Sequence, residues 1–325
     1  MTPNKHIVSI ARQLWFWLWM KLMDGFAPSD KNGNYVRPKG FSNHNLKVNK
    51  NKNYYLLVGA TCPWCHRLII TYKLLNLSSK IKIIFLIPNY KTGEWIFKKK
   101  FYNCKNLNEV YIKCNQTKIF RATLPTLLNC EDGEIKFISN ESRDILKFLN
   151  SMNFNSLLVS DLIKDCDKTL LDLINDDINN GVYKCGFARN QNAYIEASQK
   201  LFAALTKIEK ILDKNGGPWL LGKEISFADI YLFPTIIRWE LIYSKLFKCT
   251  EKDISFFKNI VMWRYNFFNL RGISETCFYK NWLQDYYQAI FPLNPNQIIP
   301  LQPSLEEIVN CLLYTSDAAD DSLRV

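Results

Sequence analysis

The chain has 325 residues, of which 48% are hydrophobic and 22% are charged; this length favours two packed domains, and this composition excludes general disorder. The formal net charge is +12, but the lysines are scattered along the chain. It holds no Gly-rich phosphate loop, zinc-finger spacing or RNA-binding aromatic motif, which argues against a nucleic-acid partner. Ten irregularly spaced cysteines without a secretory signal favour a reducing compartment, and we expect the cytoplasm.

The first 50 residues are expected to form an N-terminal extension. Residues 7–23 are rich in tryptophan and other apolar residues, but the segment is too short to span a bilayer. A helix of this kind lies on a membrane surface or packs on the protein's own surface. We favour packing on the protein because the segment has few basic residues to pair with lipid. Residues 24–50 carry repeated Gly, Pro and Asn turn signals and are expected to be loop-rich.

A Cys-Pro-Trp-Cys motif at residues 62–65 is the strongest chemical signal in the chain. It lies between a short apolar run at 54–59, typical of a buried strand, and a segment at 63–76 with helical apolar spacing. A thiol at a helix N-terminus meets unpaired backbone N–H groups, which favour the nucleophilic thiolate. A zinc site would need two more ligands at suitable spacing, and no second pair of this kind exists. We therefore predict a redox or glutathione-handling thiol and no metal.

The elements after the motif alternate as a βαβ unit followed by a ββα unit, which is a thioredoxin-like order. The expected elements are a strand at 80–87, an insertion that contains Trp95, a hairpin of strands at 124–128 and 134–138, and a helix at 142–150. Pro125 at the start of an inner strand is unusual. In thioredoxin-like folds the corresponding proline faces the active cysteine, so we predict a cis Leu124–Pro125 bond.

The second half of the chain predicts an all-α domain. Apolar residues form one stripe from 197 to 212, a capping box at Ser226–Asp229 opens another helix, and aromatic helices follow around 232–247 and 254–270. Residues 291–310 show no clear periodicity. Residues 311–325 differ in composition from everything before them and resemble a translated sequencing adapter, so we exclude them as non-native.

Several motifs, in this order, resemble those of the Xi class of glutathione transferases, the glutathionyl-hydroquinone reductases. They are Cys62-Pro63-Trp64-Cys65-His66-Arg67, Leu124-Pro125-Thr126-Leu127, Ser139-Asn140-Glu141-Ser142, residues 179–188, Leu220-Leu221-Gly222 with Ser226 and Asp229, and Phe247-Lys248-Cys249. The resemblance covers about residues 50–300, and the N-terminal segment is similar to that of cyanobacterial members. It implies the glutathione transferase fold, a mixed-sheet thioredoxin-like α/β domain followed by an all-α domain, and a homodimer. The expected divisions are the extension at 1–50, the glutathione-binding domain at 51–152, the helical domain at 160–290, a tail at 291–310 and the non-native 311–325.

The resemblance also implies the site residues. It makes Cys62 the catalytic cysteine and glutathione the co-substrate. The residues expected to bind glutathione are Trp95, Lys98, Leu124 with Pro125, Glu141 and Ser142, and the tyrosines expected to line the aromatic pocket are Tyr183, Tyr243 and Tyr286 or Tyr287. A carboxylate and a hydroxyl at a helix N-terminus suit the ammonium and carboxylate of a γ-glutamyl group. Each of these residues also has a purely structural interpretation, as core aromatics or as a helix cap.

Two departures from the family pattern leave the reaction open. Cys65 stands where the family usually has Ala, and Leu246 and Asp285 replace family histidines. We expect a glutathione-dependent enzyme that reduces glutathionyl-hydroquinone adducts through a mixed disulfide of Cys62 with glutathione. The alternatives are a glutaredoxin-like thiol transferase or dehydroascorbate reductase in which Cys65 resolves the disulfide, and a non-enzymatic membrane-docking protein of the same fold. The partner is an aromatic or thiol-conjugated small molecule, and His66 and Arg67 are expected to pack or be solvated rather than act as a base.

Overall fold

The computed structural model describes residues 5–42, 48–49, 52–116, 121–152 and 166–310. The helices and strands of the first half are α1 (Lys5–Phe26), β1 (Asn53–Gly59), α2 (Pro63–Leu74), β2 (Ile81–Pro88), β3 (Trp95–Phe101), β4 (Cys104–Asn106), α3 (Leu107–Lys113), β5 (Thr126–Glu131), β6 (Glu134–Ser139) and α4 (Ser142–Ser151). Those of the second half are α5 (Cys166–Asp172), α6 (Gly181–Phe187), α7 (Gln191–Asn215), α8 (Phe227–Ile236), α9 (Ser244–Leu246), α10 (Lys258–Phe268), α11 (Tyr279–Ala289) and α12 (Leu305–Asn310). The predicted non-native segment 311–325 lies outside the described residues.

A six-stranded mixed sheet forms the core of the first half, in the order β4-β3-β2-β1-β5-β6. β1 is central because Leu56, Leu57 and Val58 are buried on both faces. It pairs in parallel with β2 and antiparallel with β5. The predicted thioredoxin-like βαβ and ββα units are therefore confirmed, and the Leu124–Pro125 peptide bond is cis, as predicted.

The predicted insertion after β2 is in fact an extension of the sheet. β3 pairs antiparallel with β2, and β4 pairs with β3. The sequence does not indicate β3 because this strand carries three consecutive exposed lysines, Lys98–Lys100, which break the alternation that marks a half-buried strand. Charged residues of this kind suit a strand near the sheet edge, where they discourage pairing with other chains.

The second half is helical, and its longest helix is α7. The predicted apolar stripe of α7 faces the core, with Leu201, Leu205 and Ile208 fully buried. The capping box at Ser226 and Asp229 is confirmed at the start of α8. The helix predicted around 232–247 is broken, because α8 ends at Ile236 and a π-helical turn, Trp239–Tyr243, follows it. The segment 291–310 also ends in a helix that the sequence did not indicate, α12, which packs against α10.

The N-terminal extension differs most from its prediction. Only Met23 of α1 is buried, and residues 5–18 are exposed on all sides, so the expected packing of this helix on the protein's surface is wrong for most of its length. Among the described residues, no helix is sufficiently long and apolar to cross a membrane.

The rest of the extension, residues 27–42, runs as a strap across both halves of the protein. At one end Arg189 donates its backbone N–H to the Gly33 carbonyl over 3.0 Å. At the other end Asn140 donates its backbone N–H to the Phe41 carbonyl, also over 3.0 Å, just before α4. The strap therefore reaches the N-terminus of α4, where the sequence predicts the γ-glutamyl site.

Candidate active site

Cys62 lies at the turn between β1 and α2, where it is the N-cap of the helix. Its backbone is extended, with φ −70° and ψ 121°, and Pro63 begins the helix without the N–H that a helix start leaves unpaired. The Cys62 thiol is partly exposed and lies 3.8 Å from the carbonyl oxygen of Leu124, the residue before the cis proline. The structure thus brings together three of the predicted residues, Cys62, Leu124 and Pro125.

Cys65 lies one turn further along α2 and is fully buried. Its sulfur accepts a hydrogen bond from the Gly59 N–H over 3.4 Å. Burial, followed by the nearby Cys62 sulfur, raises the pKa of Cys65 well above its usual value. At neutral pH Cys65 is therefore a thiol, and its S–H is available as a hydrogen-bond donor.

The pKa of Cys62 is lowered from 9.0 to about 6. The largest cause is the hydrogen bond that Cys65 gives to the Cys62 sulfur; burial opposes it. The backbone N–H groups of Cys65 and Trp64, together with the Arg37 guanidinium, lower the pKa further. At neutral pH Cys62 is therefore mainly the thiolate, the nucleophilic form that the sequence predicted.

Arg37 is a further residue of the site, and the sequence does not indicate it. It belongs to the strap, and its guanidinium carbon lies 3.3 Å from the centroid of the Trp64 ring. This stacking holds a positive charge beside the turn that carries Cys62. No local pattern around Arg37 indicates this role, because the contact joins a loop to a helix 25 or more residues away.

Trp95 and Leu124 line one side of the Cys62 turn. A Cβ atom added to Gly59 would lie 2.7 Å from the Trp95 ring and 3.3 Å from the Leu124 side chain, so both side chains lie against the end of β1. Lys98 follows three residues after Trp95 on β3 and is exposed. Its contact with glutathione stays a prediction from the resemblance.

Glu141 and Ser142 lie together at the N-terminus of α4. Glu141 caps the helix by accepting a hydrogen bond from the Arg143 N–H over 3.3 Å. Ser142 is buried, and its hydroxyl oxygen accepts a hydrogen bond from Arg67, also over 3.3 Å. The strap packs against the N-terminus of α4, because a Cβ atom added to Gly40 would lie 2.9 Å from a Glu141 carboxylate oxygen.

Three tyrosines of the helical half form a hydrogen-bonded cluster. The Tyr286 hydroxyl lies 2.6 Å from that of Tyr183 and 3.2 Å from that of Tyr243. Tyr183 also packs against Trp64, with 5.1 Å between the ring centroids. Tyr287 points elsewhere and donates to the Leu241 carbonyl, so Tyr286 is the member of this pair that belongs to the cluster. Burial raises the pKa of all three clustered phenols and keeps them protonated.

Two helical-domain residues that the sequence did not connect with Cys62 fix the loop before it. Asp285 accepts hydrogen bonds from the hydroxyls of Thr61 and Tyr90. Arg238, which is fully buried, donates to the Thr61 carbonyl over 3.4 Å. The second half of the protein therefore positions the loop that presents the nucleophile.

His66 is a packing residue, as the sequence predicted. Arg238 donates to its Nδ1 over 2.9 Å, so the ring carries its proton on Nε2, which lies 3.0 Å from the Thr276 hydroxyl. Burial and the adjacent Arg238 lower the pKa of His66 well below its usual value. His66 is therefore neutral, has both ring nitrogens occupied and is not a base for Cys62.

Comparison with known proteins places the chain among glutathione transferases. Residues 61–152 match the family model "Glutathione S-transferase, N-terminal domain", and residues 191–264 match "Glutathione S-transferase, C-terminal domain". Glutathionyl-hydroquinone reductase YqjG of Escherichia coli (strain K12) is 31% identical over 264 residues, which cover 77% of this chain and 79% of that protein.

Two solved structures share the architecture. The glutathione-bound structure of YqjG has a TM-score of 0.71 and 30% identity, and the match covers 80% of this chain and 87% of that one. The glutathione transferase Xi of Phanerochaete chrysosporium has a TM-score of 0.75 and 28% identity, with 85% and 94% of the two chains covered.

Proposed function

The chain belongs to the glutathione S-transferase family, in the Xi class of glutathionyl-hydroquinone reductases, and we propose that it uses glutathione to reduce aromatic S-glutathionyl adducts through Cys62. The family and the fold predicted from the sequence motifs are thereby confirmed. The observation that carries the proposal is the position of the Cys62 thiolate. It lies between a peptide-binding side, formed by Leu124 and the α4 N-terminus, and an aromatic side, formed by Tyr183 and Trp64.

The peptide-binding side suits the chemistry of glutathione. The backbone of Leu124 faces the Cys62 sulfur and offers hydrogen bonds to the cysteinyl part of the tripeptide. Glu141 offers a carboxylate to the α-ammonium of the γ-glutamyl group, and the α4 N-terminus offers N–H groups to its carboxylate. Arg67 holds the Ser142 hydroxyl at this corner. Trp95 covers the same side of the turn.

The reaction proceeds in two steps, formation of a disulfide between Cys62 and glutathione and its reduction by a second glutathione. The Cys62 thiolate attacks the sulfur of the adduct, the sulfur–carbon bond breaks, and the aromatic carbon takes the electron pair and a proton, which gives the free hydroquinone. Tyr183 is protonated and is the partly exposed member of the tyrosine cluster, so it supplies this proton and regains it from solvent. A second glutathione then attacks the disulfide between Cys62 and glutathione, which releases glutathione disulfide and restores the thiolate.

Cys65 contributes to this mechanism as a hydrogen-bond donor. The dithiol alternative needs Cys65 to attack as a thiolate. Its complete burial and its raised pKa oppose that form. The same thiol is well placed to stabilise the Cys62 thiolate, which is the largest cause of the low pKa there. These observations favour the one-thiol reaction over the glutaredoxin-like reaction.

Steady-state turnover tests the proposal. Purified protein is mixed with S-glutathionyl-hydroquinone and glutathione, and both products, hydroquinone and glutathione disulfide, are quantified. We expect them in equal amounts with the wild type and neither with Cys62→Ser. The same assay is repeated with a glutathione mixed disulfide and with dehydroascorbate. If the wild type and Cys62→Ser show equal, negligible rates with all three substrates, an enzymatic role for Cys62 is refuted.

We make two further proposals. A cytoplasmic location rests on the irregularly spaced cysteines, and a homodimer rests on the family resemblance. Sedimentation velocity of the purified chain tests the second. A single species at the mass of the monomer would contradict it.

A further inference from the structure

α1 carries an unusual concentration of exposed apolar side chains. Of the 19 large hydrophobic residues exposed in the described part of the chain, nine lie in this 22-residue helix. Trp15 and Trp17 expose 50% and 58% of their surface, whereas the tryptophans of the helical core are buried. An apolar patch of this kind on an otherwise well-packed protein marks an interaction surface.

The patch has an amphipathic arrangement. Five apolar residues follow helical spacing and share one face of α1, namely Ile7, Ile10, Leu14, Trp17 and Leu18. The polar residues of the first turns, including Lys5, Ser9 and Arg12, lie on the opposite face. The helix therefore presents one apolar side over about three turns. Phe16 adds an exposed ring on the side that carries Lys5 and Arg12, and Lys21 lies on the apolar side.

The base of α1 is fixed to the body of the protein. The Trp19 indole N–H donates to the Pro292 carbonyl over 2.9 Å, and Met23 is fully buried. Arg189 holds the residue that follows the helix by donating to the Ala27 carbonyl over 2.7 Å. The C-terminal end of α1 is therefore attached to the body of the protein, whereas the turns before it are exposed.

The segment carries few charged residues, and all of them are cationic. Residues 1–23 contain three cations, Lys5, Arg12 and Lys21, and no aspartate or glutamate. A second copy of α1 would bring like charges together without an acidic partner, which disfavours self-association through this helix. An anionic lipid surface satisfies the cations and the apolar face together, and the boundary between lipid and water is where tryptophan is enriched.

We propose that α1 docks the protein on an anionic membrane surface, lying in the plane of the interface without crossing the bilayer. Its apolar face enters the boundary between headgroups and acyl chains, and its cations contact anionic headgroups. The proposal does not depend on the reaction assigned to Cys62. It explains why this helix leaves its apolar residues uncovered in the folded protein.

Vesicle sedimentation with the full chain tests the proposal. We expect the wild type to pellet with phosphatidylcholine vesicles that contain phosphatidylglycerol, to pellet weakly with pure phosphatidylcholine, and to dissociate partly as salt rises. Lys5→Gln with Arg12→Gln should weaken binding about thirtyfold. Leu14→Gln with Trp17→Gln should weaken it by at least about tenfold. Both pairs are exposed, so their folding should not change.

A matched control removes two cations elsewhere. Lys207→Gln with Lys210→Gln, on the exposed side of α7, has the same net charge as the Lys5 and Arg12 variant and should bind like the wild type. Three results would overturn the proposal. The α7 pair could weaken vesicle binding as much as the α1 cation pair does, both α1 pairs could leave vesicle binding unchanged, or the wild type could fail to bind anionic vesicles. A different result would also overturn it. If the wild type does not bind lipid but forms an oligomer, and Leu14→Gln with Trp17→Gln dissociates that oligomer, α1 is a self-association surface.

Discussion

The hydrogen bond from Cys65 to the Cys62 sulfur makes a quantitative prediction. The pKa of Cys62 falls from 9.0 to about 6, and this hydrogen bond is its largest cause. A hydrogen bond to a charged acceptor contributes about 1.5–3 kcal/mol, which corresponds to about one to two pKa units. Cys65→Ala, which introduces the residue that the family usually has, should therefore raise the pKa of Cys62 to about 7–8.

The assay is alkylation of Cys62 by iodoacetamide as a function of pH, followed by mass spectrometry of the peptide that contains it. Near pH 6 the Cys65→Ala variant should react about five- to fiftyfold more slowly than the wild type, because less of its thiol is ionised. Above about pH 9 the two rates should converge. Cys65→Ser keeps a donor at this position and should behave almost like the wild type.

The two substitutions separate the two roles of Cys65. If it only donates a hydrogen bond, the Ser variant turns over normally, and the Ala variant recovers its rate as pH rises. A midpoint that stays at about 6 in Cys65→Ala would refute the assigned cause of the low pKa. Equal loss of turnover in both variants at every pH would instead identify Cys65 as the resolving thiol.

Three further predictions test the surroundings of the site and the fold. Arg37→Gln should raise the alkylation midpoint of the catalytic thiol, and Arg37→Lys should restore much of the effect; identical midpoints in all three proteins would show that the strap charge does not act there. Tyr286→Phe removes the hydroxyl that joins the tyrosine cluster and should lower kcat for the aromatic adduct about tenfold, whereas Tyr287→Phe should not, and a reversed order would contradict the assignment. Asp229→Ala leaves four hydrogen-bond donors without their acceptor and should lower the free energy of unfolding by about 3–5 kcal/mol in denaturant titrations. The exposed Asp213→Ala should cause no change, and a loss as small as that of this control would refute the role of Asp229.

Much of the fold could be predicted from local patterns. The apolar run of β1, the motif at 62–65 and the capping box at Ser226 each carry their own signal, because burial and capping act on neighbouring residues. The strand β3, next to the edge strand β4, has no such signal, since its lysines face water. Its place in the sheet follows from pairing with β2, which a single segment does not reveal.

Some residues of the site could be predicted from local patterns, and others could not. The thiol motif and the helix N-terminus at Glu141 were evident from the sequence, since each is a local arrangement. Arg37 and Arg238 were not, because their roles come from contacts with residues far away in the chain. The packing of α1 was predicted wrongly because amphipathic spacing shows that a helix has an apolar face but not what covers that face.

A single turnover shows whether Cys62 is the nucleophile. Wild-type protein is mixed with an equal amount of S-glutathionyl-hydroquinone, without free glutathione, and the released hydroquinone and the protein mass are measured together. We predict one hydroquinone per protein and one glutathionyl group in disulfide linkage on Cys62, which added glutathione then removes. Hydroquinone release without any adduct on Cys62, or an adduct on another cysteine, would contradict the account.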